Sequence, residues 1–82
     1  MKQPRDLSGK ELVSLLAKHY GYETVRQAGS HLRMTSRFMG IEHHMTIPLH
    51  SPLKPGMLGA ILSEVAGYLK IDKKTLLGIL FK

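Results

Sequence analysis

Apolar side chains recur at helical spacing in three separate stretches of the chain. In the first stretch, Ser8 and Glu11 have the spacing of a capping box, in which each side chain accepts from the backbone of the other. Gly21 follows the last periodic residue and is expected to end this helix. Its apolar face is predicted to comprise Leu12, Leu15 and Leu16.

Two further helices are predicted in the second half of the chain. One begins near Pro55 and ends at Gly67, with apolar residues at i, i+3, i+4 and i+7. The other begins after Asp72, which is a favourable N-cap residue.

Between the first and second helices the period changes from helical to alternating. Residues 22–27, 31–36 and 41–49 are predicted strands, with turns at Ala28-Gly29 and around residues 37–40. The element order is therefore α-β-β-β-α-α. The predicted fold class is α+β, with a three-stranded antiparallel meander and the helices packed on one of its faces.

Folding the chain at the two turns predicts the strand register. Arg26 is then opposite His31, where its charge would favour the neutral imidazole, and Leu32 is opposite both Val25 and Met45. The face toward the helices would carry Val25, Leu32, Met34, Met45, Ile47 and Leu49. The other face would carry Thr24, Arg26, His31, Arg33, His44 and Thr46. No carboxylate occurs among these last six residues, so this face is either a solvated surface or a basic binding face.

Composition narrows the classes of function. The 82 residues include 12 Lys and Arg against 6 Asp and Glu, a net charge of +6 that favours nucleic acid over a membrane as partner. There is no cysteine, which excludes disulfides, thiolate zinc sites and a cysteine nucleophile. No apolar run reaches the roughly 20 residues that span a bilayer. Residues 1–7 are polar and include Pro4, so no signal peptide is expected, and residues 1–82 are interpreted as a single cytoplasmic domain.

The histidines raise the question of a metal site. His43 and His44 are neighbours on a strand and point to opposite faces, while His44 and His50 would be roughly 20 Å apart along it. A metal site is therefore disfavoured. A serine hydrolase is disfavoured too, because Ser30 and His31 are adjacent in sequence and their side chains diverge. We expect no metal and no small-molecule cofactor.

Acid–base cleavage of RNA fits the polar face better. RNA supplies its own nucleophile, the 2′-hydroxyl, and a histidine can accept or donate the proton near neutral pH. His31 is the candidate for that role, and Arg26 and Arg33 could stabilise the charge that develops on the phosphate. A surface histidine without function remains the alternative at this point.

Five segments resemble the HicA (YcfA-like) toxins of toxin–antitoxin modules. They are Ser-Gly-Lys-Glu-Leu at 8–12, the Gly-Tyr-Glu to Gly-Ser-His stretch at 21–31, Thr-Ile-Pro-Leu-His at 46–50, Lys-Pro-Gly-Met-Leu at 54–58 and Ala-Ile-Leu at 60–62. The order matches the family over nearly the whole chain. Two departures are Gly59, where the family usually has arginine, and Tyr68 to Lys70, which look like an insertion.

The resemblance implies a fold like that of double-stranded-RNA-binding domains and a ribosome-independent mRNA endoribonuclease. It implies that His31, in Gly-Ser-His, is the essential histidine, that no metal is required, and that a HicB-type antitoxin is the protein partner. The residues expected to contact RNA are Arg26, Arg33, Ser30, His44 and Lys54. A non-catalytic RNA-binding module of the same fold is the main alternative, and a protein-interaction module with no nucleic-acid role is a weaker one.

Overall fold

A computed structural model describes residues 7–81. Its elements are α1 (Gly9–Tyr20), β1 (Glu23–Ala28), β2 (His31–Ser36), β3 (His43–Pro48), α2 (Pro55–Leu69) and α3 (Lys73–Leu80). The strands form one antiparallel sheet in the order β1-β2-β3, which confirms the predicted α+β class and element order. The expectation that residues 1–7 form no signal peptide concerns residues that, except for Leu7, lie outside the described part of the chain. Within residues 7–81, no helix is long and apolar enough to cross a membrane.

Helix α1 begins and ends as its sequence predicts. The Ser8 hydroxyl accepts from the Glu11 backbone N–H at 3.1 Å, and the Glu11 carboxylate accepts from the Ser8 backbone N–H at 3.1 Å. Gly21 ends the helix in the left-handed region, with a φ of 64°. Gly9 has a separate role, because a Cβ on it would collide with the backbone of Pro48 and Leu49. The start of α1 therefore packs directly against the end of β3.

Helix α2 is longer than predicted. It continues past Gly67 to Leu69, and Lys70 ends it with a φ of 57°. The two extra residues bury Leu69 and bring the Tyr68 ring onto the sheet, so tertiary contacts outweigh the helix-ending preference of glycine. Asp72 caps α3 as predicted, since its carboxylate accepts from the Thr75 backbone N–H at 2.7 Å.

The turn between β1 and β2 lies one residue later than predicted. Its two loop residues are Gly29 and Ser30, so Ala28 is opposite His31. Gly29 has a φ of 58°, as the first loop residue of a type II′ hairpin requires. The prediction that Arg26 is opposite His31 is therefore wrong, and Arg26 is opposite Arg33.

A bulge between Thr24 and Arg26 also changes the faces of β1. Val25 is 58% exposed, so its predicted place in the core is wrong. Thr24 is opposite Met34 and lines a cavity with Val13 of α1, so its predicted place on the polar face is wrong too. In exchange, the bulge puts Glu23 opposite Thr35, which adds a carboxylate to the polar face.

The β2–β3 register also differs from the prediction, by two residues, and this preserves the faces. Leu32 is opposite Ile47, and Met34 is opposite Met45. All four are buried as predicted, whereas Leu49 is only partly buried. The four buried strand residues pack with apolar residues of the helices. Among these helix residues, the following are each at most 2% exposed: Leu12, Leu16, Leu58, Leu62, Val65 and Leu76. One sheet face is thus the core, and the other is open.

Candidate active site

His31 is the first residue of β2, directly after the Gly29-Ser30 turn. It lies between Ala28 of β1 and Pro48 of β3 in the sheet, and it is exposed. Its ring forms no hydrogen bond to any side chain or backbone group within residues 7–81. The imidazole is therefore available to a ligand.

A cavity of about 300 Å³ lies beside His31, between the β3 edge of the sheet and α2. Four residues of one α2 face form its far wall, and residues of β2 and β3 form the near wall. Its lining residues are His31, Met45, Thr46, Pro48, Met57, Ala60, Ile61 and Glu64. The cavity is mostly apolar, with His31 and Glu64 as its titratable groups.

The structure brings a second histidine to His31. The His50 ring centroid is 6.5 Å from that of His31, and the two planes are inclined at 68°. The backbone explains this approach, because the Ser30 carbonyl accepts from the Leu49 N–H at 2.6 Å and so joins the residues that precede the two histidines. The sequence raised His50 as a metal ligand with His44 and as part of the segment 46–50, but it did not predict this pair. A turn placed at Gly29-Ser30 would have indicated the pair, because His31 then begins β2 beside the end of β3, where His50 follows.

The remaining predicted RNA contacts are distributed over the open face and its surroundings. Arg33 and Arg26 are neighbours across β1 and β2, and both are exposed. Ser30 is exposed in the turn, and Lys54 is exposed at the N-cap of α2. Ser30 directly precedes His31 in the sequence, and Lys54 follows His50 by four residues. Their contact with RNA stays a prediction.

His44 has a different environment. Its Nε2 lies 2.6 Å from a Glu42 carboxylate oxygen, and the other oxygen of Glu42 accepts from Arg37 at 3.1 Å. The hydrogen bonds from Arg37 and His44 lower the pKa of Glu42. Glu23 and Glu42 both lie at the far end of the open face, which we call its acidic end, whereas Arg26 and Arg33 lie nearer to His31, at the end that we call basic. A phosphate backbone would therefore be attracted to the His31 end.

His43 lies on the core face and is held by contacts with three residues. Tyr22 Oη lies 2.6 Å from its Nδ1, Glu64 Oε2 lies 3.0 Å from its Nε2, and the Tyr68 ring stacks on it at 4.7 Å. An ionised carboxylate only accepts, so the neutral ring carries its proton on Nε2 and accepts from Tyr22 on Nδ1. Burial raises the pKa of Tyr22, and the neighbouring Tyr68 and Glu64 raise it further. Tyr68 also donates to the Ile41 carbonyl, which secures the β2–β3 loop.

A metal site does not emerge from these groups. Within the described part of the chain, no three His, Asp or Glu side chains converge as a metal ion would require. His43 and His44 point to opposite faces as predicted, and each is bonded to a different glutamate. The arrangement that is available for chemistry is the His31–His50 pair at the basic end of the open face.

A three-stranded antiparallel meander with three helices and an exposed histidine pair at one end defines a small α+β domain with a candidate active site. Residues 9–67, more than half of the chain, match the family model described as HicA toxin of bacterial toxin–antitoxin. The chain therefore belongs to the HicA toxin family. Comparison with curated proteins gave no match, and neither did comparison with solved structures.

Proposed function

We propose that this HicA toxin is an endoribonuclease that cleaves mRNA in the cytoplasm, with His31 as the acid–base catalyst. The observation that carries the proposal is the position of His31. Its ring is exposed, unbonded within residues 7–81, and next to a cavity and two arginine-bearing strands. A ribonuclease needs a proton acceptor near the 2′-hydroxyl and cations near the phosphate, and this end of the sheet offers both.

In the proposed reaction, His31 accepts the 2′-hydroxyl proton as the 2′-oxygen attacks the adjacent phosphorus. Arg33 and Arg26 bind the phosphate backbone, and Ser30, His44 and Lys54 extend the contact surface. The resemblance to HicA toxins implies that no metal is required, and the proposed reaction is accordingly metal-independent. Arg26 would act on the RNA and not on His31, because its neighbour across the strands is Arg33.

The decisive experiment measures RNA cleavage by purified His31→Ala beside the parent protein. We expect activity to fall about 100-fold or more, the loss typical of removing an acid–base group. Stability should change by no more than about 0.5 kcal/mol, because the side chain is exposed and makes no hydrogen bond within residues 7–81. His19→Ala is the matched control, since His19 lies on α1 away from the open face.

Three results would contradict the proposal. A folded His31→Ala that cuts RNA at the parental rate removes His31 from catalysis. Loss of parental activity in a chelator would point to a metal-dependent reaction. A parent protein that binds RNA in a salt-dependent manner but never cleaves it would favour the non-catalytic RNA-binding module.

We further propose that a HicB-type antitoxin blocks the toxin by covering the His31 end of the open face. The exposed arginines there favour an acidic partner surface. Co-expression with the product of a neighbouring gene should abolish cleavage and protect β2 amides from hydrogen exchange. A complex that leaves β2 unprotected and cleavage intact would overturn this partner assignment.

A further inference from the structure

We propose that His50 is the second proton-transfer residue of the site and acts as the general acid opposite His31. This inference rests on the proposed ribonuclease function and deepens it. Its basis is the close approach of two imidazoles, 6.5 Å between centroids, at the basic end of the open face.

The backbone holds His50 in this place from two sides. The residue before it, Leu49, donates to the Ser30 carbonyl at 2.6 Å, and the His50 carbonyl accepts from the Gly9 N–H at 2.9 Å. The second bond requires the close approach of α1 that only a glycine at position 9 permits. His50 lies outside the strands, but the bond from Leu49 to Ser30 ties it to the β1–β2 turn that directly precedes His31. Its position relative to His31 is therefore fixed.

The spacing suits a phosphate between the two rings. Each ring nitrogen can reach an oxygen at about 3 Å, so a phosphodiester can contact one histidine through its 2′-oxygen and the other through its 5′-oxygen. The rings are free for this, because neither forms a hydrogen bond to another residue among those the structure describes. Both side chains are exposed, so RNA can approach them from the open face.

The assignment of the acid follows from elimination within the site. With His31 as the base, the departing 5′-oxygen needs a proton donor. The other titratable group in the cavity is Glu64, which is bonded to His43 and, when ionised, can only accept. Arginine does not release its proton in proteins. His44 is bonded to Glu42, and His50 is the titratable group whose ring lies beside His31, so we assign the donor role to His50.

The reaction is then a balanced transesterification. The 2′-oxygen forms a bond to phosphorus as its proton moves to His31, and the bond from phosphorus to the 5′-oxygen breaks as His50 protonates that oxygen. The products are a 2′,3′-cyclic phosphate and a 5′-hydroxyl. Both histidines exchange their protons with water afterwards, so no co-reactant is needed.

The test compares two versions of one RNA oligonucleotide that the parent protein cleaves at a known position. In the second version, sulfur replaces the bridging 5′-oxygen at that position, and the thiolate departs without protonation. We expect His50→Ala to cleave the natural RNA about 100-fold more slowly than the parent, yet to cleave the sulfur-bridged RNA at close to the parental rate. His31→Ala should fail on both, and the control His19→Ala should match the parent on both.

His50→Gln provides a second variant that keeps a polar side chain if His50→Ala does not fold. Parental cleavage of the natural RNA by folded His50 variants would overturn the inference. Equal losses on both substrates would also overturn it, because they would indicate a structural role. A parent that does not cleave RNA, or a fully active His31→Ala, would overturn the proposed function itself, so the two failures are distinguishable.

Discussion

His43 and His31 lie on the same sheet and have opposite environments. The His43 side chain is 15% exposed, is bonded through both ring nitrogens and stacks on Tyr68. The exposed His31 has no such partner within residues 7–81 and faces a cavity. The difference teaches that residue type alone does not identify a catalytic histidine. A ring whose two nitrogens are hydrogen-bonded within the protein stabilises the fold, whereas a ring without such bonds can bind a substrate.

The largest effect that this comparison predicts is a loss of stability on substitution of His43. His43→Ala removes the ring that bridges β3 and α2, leaves the Tyr22 hydroxyl without its acceptor and deletes the stacking on Tyr68. We expect a loss of about 2–4 kcal/mol in the free energy of unfolding, measured by urea denaturation at neutral pH. His31→Ala under the same conditions should lose at most about 0.5 kcal/mol. Equal losses for the two variants would remove the distinction between the two environments.

The sequence predicted the fold well because its signals are local. The capping box at Ser8, the glycine stop at Gly21 and the Asp72 cap are each set by a few neighbouring residues, and all three are confirmed. The alternation in β2 and β3 gave the correct faces even with a two-residue error, since the side-chain period of a strand is two.

The site was less predictable because its contacts are not local. The bulge in β1 has no sequence signal strong enough to place it, and it moved Val25, Thr24 and Glu23 to other faces. The His31–His50 pair depends on the Ser30–Leu49 backbone bond, which an error of one residue in the turn conceals. Tyr68, which lies in the stretch that looks like an insertion, is the stacking partner of His43, and no sequence pattern indicated that role.

A second prediction isolates one hydrogen bond of the His43 environment. Tyr22→Phe keeps the buried ring and removes only the hydroxyl that lies 2.6 Å from His43 Nδ1. The buried acceptor is then left unsatisfied, and we expect a loss of about 1–3 kcal/mol in urea denaturation.

Tyr20→Phe is the matched control for this measurement. The Tyr20 hydroxyl is buried and has no hydrogen-bond partner among residues 7–81, so its removal should be neutral or slightly stabilising. If Tyr20→Phe costs as much as Tyr22→Phe, the loss comes from packing, and the Tyr22–His43 bond contributes little.

A third prediction concerns the charges at the two ends of the open face. Arg33 lies at the basic end, whereas Arg37 is paired with Glu42 at the acidic end. In a His31→Ala background that binds without cutting, Arg33→Ala should lower the salt slope of single-stranded RNA binding by about 0.7, the value for one phosphate contact. Arg37→Ala should leave the slope within error of the background protein. Binding that does not depend on salt at all would contradict phosphate recognition by this face.

The smallest predicted effect is the pH response of the acidic end. Arg37 and His44 lower the pKa of Glu42 in the folded protein, so Glu42 contributes stability above its unfolded pKa, about 4.3, and loses it as the pH falls through the lowered folded value. Glu42→Gln should therefore lose less stability than the parent between pH 7 and about pH 3, measured by urea midpoints. The difference should be slight, since Glu42 is solvent-exposed and exposed ion pairs are screened by water and salt. A parent and a Glu42→Gln variant with identical pH profiles would show that the His44–Glu42–Arg37 contacts do not persist in solution, and His44 would then be free to contact RNA at its own end of the face.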